Sequence, residues 1–252
     1  MVKNRKIWGE FMPFDFKNLR HYSIDYGKLF EEFNSHRFVN DKHIQIEYLK
    51  AWFKVLMDAD KVITEQLKTK ESIIQLSQLL RSEPEIFKIP MYHKSNTIFI
   101  QFRATIANEI IPEEDKKNKY EFIDINEFVK KNSKICWNPV KENVDSYAEA
   151  KDPILMVPFL SGTYTKLVID GNHRLTYKVK NNVNDIHALL ISERTVIEQS
   201  LFSGTFDKLY YIMHNELNYM KIETDTKNTN AMELMNKSYL VDGKFKFKEY
   251  NV

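Results

Sequence analysis

The chain has 252 residues, and 37 Lys and Arg against 35 Asp and Glu leave a formal charge of +2, so it cannot coat nucleic acid by bulk charge, although a local basic groove stays open. A hydrophobic share of 43% excludes wholesale disorder, and only six glycines and seven prolines exclude a collagenous or flexible low-complexity chain. The length suffices for one large domain or two small ones with a real core.

Up to residue 40 aromatic residues are scattered without a clean period (Phe11, Phe14, Phe16, Tyr22, Tyr26, Phe30, Phe33), which predicts an arm that packs its rings on the main body. From Ile44 to about Leu67 the spacing of Leu49, Trp52, Phe53, Leu56 and Met57 predicts a helix. Glu71–Arg81 predicts a second, and Pro84 and Pro90 then punctuate the chain. Thr97–Arg103 is short and rich in β-formers and predicts a strand. The charged run 112–119 reads as a solvated loop and a boundary.

Beyond it the pattern changes. Tyr120–Ile123 predicts a strand, and Asp124-Ile-Asn-Glu127 a capping box leading a short helix through Lys131. Asn138-Pro139 predicts a turn and Glu142–Ala150 another helix. Ile154–Val157 and Lys166–Ile169 predict strands joined by a turn at Ser161-Gly162, followed by a helix over Arg174–Val179 and a strand over His187–Ile191. The order β-α-α-β-β-α-β is that of a compact α+β module. Phe206–Met220 is amphipathic, with Ser203 or Thr205 as its expected cap, and the end of the chain reads as a short alternating strand or a tail. These expectations divide the chain into a mainly helical region 1–119, a module 120–193 and a C-terminal helical extension 194–252.

The single cysteine, Cys136, can form no internal disulfide and no thiolate metal site by itself. The longest apolar run, Ile154–Leu160, is far short of the ~20 residues of a membrane helix, and the start carries no apolar run of signal-peptide length. A cytoplasmic, soluble protein without a membrane partner is expected.

Chemistry concentrates in Lys166–Tyr177, where an apolar strand runs into Asp170-Gly171-Asn172-His173-Arg174 and a short helix. A helix N-terminus exposes unpaired N–H groups and partial positive charge. Gly171 can adopt a backbone conformation closed to other residues, Arg174 can grip two phosphate oxygens, and His173 can donate to a phosphate or carry a proton. Asp170 could hold the imidazole, bind Mg²⁺ or accept a proton from a substrate hydroxyl. The same residues also read as a common Asp-Gly turn followed by a surface His-Arg pair.

The stretches Lys151–Phe159, Gly162–Tyr164, Val168–Leu175 and Ile186–Ile191, with the approach Phe122–Phe128 and Asn138-Pro139, resemble the ParB/sulfiredoxin superfamily over about residues 120–193. The resemblance implies a nucleotide or phosphate pocket at the Gly-X-His-Arg turn, formed by Gly171, Asn172, His173 and Arg174. Members include CTP-using partition proteins, ATP-dependent sulfiredoxins, free-serine kinases, nucleases and ADP-ribosylating toxins. Asn172 stands where sulfiredoxins carry their cysteine, and an amide cannot replace a thiolate nucleophile. Partition proteins carry Gly-Glu-Arg-Arg and a following helix-turn-helix, for which no clear counterpart follows Glu193. The free-serine kinases are more similar at Asp-Gly-X-His-Arg. There the motif acid, matched by Asp170, and an upstream glutamate, here Glu127 or Glu142, serve catalysis. The expectation is a nucleotide-binding enzyme using ATP and Mg²⁺ for phosphoryl transfer or phosphodiester hydrolysis, with Asp170, His173 and Glu127 catalytic and Asp170 also the metal ligand. Its rivals are a non-catalytic DNA-associated module of plasmid or phage type and an NAD-using ADP-ribosyltransferase toxin.

The remaining candidates read as structural. Histidines 21, 36, 43, 93, 187 and 214 show no metal-ligand spacing, and no Walker pattern occurs. Trp137 and Tyr164 flank the motif and could stack on a base, with core packing the simpler role. The lysines of 116–119 and Lys244, Lys246 and Lys248 read as solvated faces, with a nucleic-acid contact as the alternative.

Overall fold

The computed structural model describes residues 12–81, 85–111 and 120–247. The expected loop at 112–119, with Phe11, Pro84 and Lys248, lies outside the described residues. In chain order the elements begin with β1 (Phe14–Asp15), β2 (Arg20–His21), α1 (Tyr26–Ser35), α2 (Lys42–Gln66), α3 (Lys70–Arg81), β3 (Ile86–Tyr92) and β4 (Thr97–Arg103). There follow α4 (Ala104–Ile110), β5 (Glu121–Asp124), α5 (Asn126–Val129), β6 (Ile135–Cys136), a 3₁₀ turn at Asp145–Tyr147, β7 (Ile154–Ser161), β8 (Tyr164–Asp170), α6 (Asn172–Lys180) and β9 (Asp185–Leu190). The chain closes with α7 (Glu193–Glu198), α8 (Thr205–Lys227), α9 (Ala231–Lys237) and α10 (Tyr239–Asp242).

The molecule is α+β. Its described residues fall into two compact units, one from 12–103 with 202–247 and one from 104–201. The expected three-part division therefore changes. Helices α8–α10 belong with the N-terminal region because α8 packs along α2 and Phe202 bridges to Phe102 of β4. Residues 104–201, with α4 and α7, form the second unit.

In the first unit the apolar stripe of α2 does what its spacing predicts: Leu49, Trp52, Phe53 and Leu56 are fully buried. The Phe53 ring meets those of Tyr26, Phe30 and Phe33 edge-on, so part of the aromatic arm is helix α1. Asp25 and Asp41 cap α1 and α2 by accepting from first-turn N–H groups. Pro90 lies inside β3, which it can do because β3 pairs only with β4. Gly204, not Ser203 or Thr205, occupies the cap of α8, and the Ser203 hydroxyl is buried without a hydrogen-bond partner. The end of the chain is neither strand nor loose through Phe247, whose buried ring stacks on Tyr219.

The second unit is a five-stranded sheet in the order β5-β9-β7-β8-β6. The β5/β9 and β7/β8 pairs are antiparallel, and the β9/β7 and β8/β6 pairs parallel. Ile154, Met156, Val168, Ile186 and Ala188 form one core face, which Leu175 of α6 covers. Leu175 and Val179 are four residues apart, so both fall on the same side of α6.

Two local expectations in this unit fail for the same reason. Short polar side chains take backbone N–H groups that a helix would use. Asn143 accepts from the Asp145 N–H, and the expected helix over Glu142–Ala150 shrinks to one 3₁₀ turn. Asp124 accepts from both the backbone and the side chain of Asn126 instead of forming a capping box, and α5 ends at Val129.

The first unit contains an unusual acid. Asp60 is fully buried, and neither carboxyl oxygen has a hydrogen-bond partner. Burial, with repulsion from the equally buried Asp207, pushes Asp60 from 3.8 up to about 9. The unfolded chain releases this proton near the lower value, so the folded state loses stability as pH rises through that window. Asp60→Asn removes this titration. The variant should gain on the wild type by up to about 1.4 kcal/mol per pH unit between pH 5 and 8 in urea denaturation. Parallel pH profiles for the two proteins would contradict this.

Candidate functional site

The site grows from the end of β8. Asp170 closes the strand, Gly171 turns the chain with φ +87°, and α6 starts at Asn172. Only glycine tolerates that turn here. A Cβ would lie 2.5 Å from Ile154 Cγ2 and 2.9 Å from Arg174 Nη2, at a φ that L side chains rarely adopt. As a cap, Gly171 offers no side chain to the first-turn N–H groups of α6, while its carbonyl accepts from Leu175 at 2.9 Å.

Asp170 is buried and both its carboxylate oxygens accept hydrogen bonds. Oδ1 accepts from the Gly171 N–H at 2.6 Å. Oδ2 accepts from Asn108 Nδ2 at 2.7 Å and from Arg174 Nη2 at 3.3 Å. The same Nη2 donates to the Pro153 carbonyl at 3.1 Å, and Arg174 Nε is buried without a hydrogen-bond partner. The guanidinium is thus held on one edge by a carboxylate and a carbonyl.

Arg174 also lines a cavity of about 270 Å³. Its other walls are segment 148–152, Tyr177 and Lys178 of α6, and Ile186 and His187 of β9. Lys151 lies in that segment, so three cationic side chains border the space, with exposed Glu149 and Asp152 beside them.

His173, adjacent in sequence to Arg174, is not among the residues lining that cavity. Its ring stacks on Tyr147 at 5.2 Å and 22°, and Nε2 lies 3.7 Å from a carboxylate oxygen of exposed Glu142. Of the two upstream glutamates, Glu142 therefore meets the motif. Glu127 pairs with Lys130 at 2.5 Å on the surface of α5. Asn172 is buried and structural: Oδ1 accepts from the Asn138 N–H at 2.9 Å and Nδ2 donates to the Val168 carbonyl at 3.4 Å. Thr176 accepts from the Val140 N–H at 3.0 Å, so segment 138–140, an irregular stretch and not the expected turn, is tied to α6 at two points.

Asp170 does not fit a Mg²⁺ ligand. Asn108 and the cationic Arg174 occupy Oδ2, the Gly171 N–H occupies Oδ1, and the buried side chain is not among those lining the cavity. Among the described residues no three His, Cys, Asp or Glu side chains gather as metal ligands would. Cys136 is partly buried in β6, and desolvation pushes its thiol up, away from a reactive thiolate. Trp137 packs on the core and donates to the Phe128 carbonyl at 2.9 Å, whereas Tyr164 is exposed. Two participants were not predicted. Asn108 sits in α4, a helix without a clear sequence signature, and Tyr147 sits in the segment expected to be helical.

No family model, no curated protein and no solved structure matches the chain. Among the described residues no helix is long and apolar enough to cross a membrane.

Gly171→Ala should cost about 2–4 kcal/mol, combining backbone strain with the clash against Ile154. Chemical denaturation measures it, and a loss below about 0.5 kcal/mol would show that the bend relaxes freely.

Proposed function

We propose that the 104–201 unit is a ParB/sulfiredoxin-like module that binds a nucleotide through its phosphates and serves phosphoryl transfer or phosphodiester hydrolysis. One observation carries the reading. Arg174 has one edge fixed by Asp170 and Pro153, a buried Nε without a partner, and a place on the wall of a cavity that Lys151 and Lys178 share. An oxyanion would satisfy that guanidinium and draw on both lysines. Gly171, Asn172 and His173, expected to bind the phosphate, are not among the residues lining that cavity, so the reading rests on the side chains.

In this reading Arg174, Lys151 and Lys178 hold phosphate oxygens. His173, stacked on Tyr147 with a Glu142 carboxylate oxygen 3.7 Å away, stands off the cavity wall and is assigned the proton of the part of the substrate that extends beyond the cavity. Asp170 aims Arg174 and does not act as the base.

Isothermal titration of the intact protein with ATP, CTP and NAD, each with and without Mg²⁺, tests the reading. At least one nucleotide should bind, and Lys151→Ala should weaken it by about 3- to 10-fold, the worth of a partly exposed charge contact. His173→Ala should lower turnover by about 100-fold or more while binding persists. A folded protein that binds none of the three overturns the proposal and leaves Arg174 as a structural staple.

A further inference from the structure

The contacts of Asp170 reach further than its own side chain. Asn108 in α4 donates 2.7 Å to Oδ2, the oxygen that also receives Arg174. Oδ1 is taken by the Gly171 N–H. The carboxylate is therefore held at both oxygens, and the cation it pairs with is Arg174. The Pro153 carbonyl, just before β7, accepts from the same Nη2. A planar guanidinium tied at one nitrogen keeps its remaining N–H edges in one orientation, which lowers the entropy lost when an anion binds. The amide of Asn108 suits this task because, unlike a carboxylate, it donates to Asp170 without competing for Arg174.

We infer that this site takes its oxyanion directly on Arg174, without a divalent cation, and that Asn108 is a positioning residue acting through Asp170. The inference rests on the phosphate reading above and specifies the ligand: a phosphate or polyphosphate anion in metal-free form. Its motivation is that Asn108 and the cationic Arg174 occupy Oδ2 of Asp170 and the Gly171 N–H occupies Oδ1, while Arg174, and not Asp170, is among the residues lining the cavity.

The probe is inorganic tripolyphosphate, titrated calorimetrically into the full chain in EDTA and in Mg²⁺. The wild type should bind in EDTA at least as tightly as in Mg²⁺. Asn108→Ala should weaken binding by about 5- to 20-fold, the worth of one hydrogen bond to a charged group. In an Arg174→Lys background the same change should have almost no further effect, since a point charge has no planar edge to aim. An Asn108 that merely supports the fold would cost the same in both backgrounds, and that result overturns its positioning role. Binding seen only with Mg²⁺ overturns the metal-free ligand, and this arm needs no variant, so poor folding of Asn108→Ala does not shelter the inference. In both cases the phosphate reading survives. Failure of tripolyphosphate and of every nucleotide to bind removes the reading and the inference together.

Discussion

The pairing of Asp170 with Arg174 constrains everything around it in the second unit. Both side chains are largely removed from water, at 11% and 15% exposure, so neither charge can be left alone. Removing one partner of such a pair typically costs about 3–5 kcal/mol, because the other stays buried and uncompensated. The four-residue spacing sets the geometry: the acid ends the strand, glycine reverses the chain, and the arginine comes back over the acid from the first turn of the helix. Pro153 and Asn108 then lock the pair to β7 and α4. Strand, bend and helix are held in one arrangement by a single carboxylate.

This arrangement separates tasks that the motif alone leaves merged. His173 and Arg174 are neighbours in sequence, yet one belongs to an exposed surface with Tyr147 and Glu142 and the other to the wall of a cavity. Successive helical residues point about 100° apart, so adjacent residues rarely share a partner. The imidazole and the guanidinium thus have separate surroundings. Asp170 accepts from three donors, of which Arg174 is the cationic one.

The sequence made the bend legible because its signal is local. An apolar strand, Asp-Gly and a helix of periodic leucine and valine need no distant residue to be recognised, and β8, Gly171 and α6 follow from them. Helix α2 was equally clear from its stripe. What stayed hidden depends on contacts far along the chain. Asn108 meets Asp170 across 62 positions, and α4 has too short a pattern to announce itself. The segment around Asp145 reads as helix by composition, but Asn143 diverts the backbone. Glu127 and Glu142 were indistinguishable until the fold brought one of them to His173. The exchange of partners by residues 202–247, which join the N-terminal unit, is likewise invisible to any local pattern.

The most direct test looks at the guanidinium itself. In ¹H–¹⁵N spectra of arginine side chains, assigned by loss of the signal in Arg174→Lys, the Nε–H of Arg174 should exchange slowly with solvent and shift on addition of tripolyphosphate. A signal that exchanges as fast as those of surface arginines, or that does not move while the anion binds, would contradict a buried, aimed guanidinium at the centre of this site.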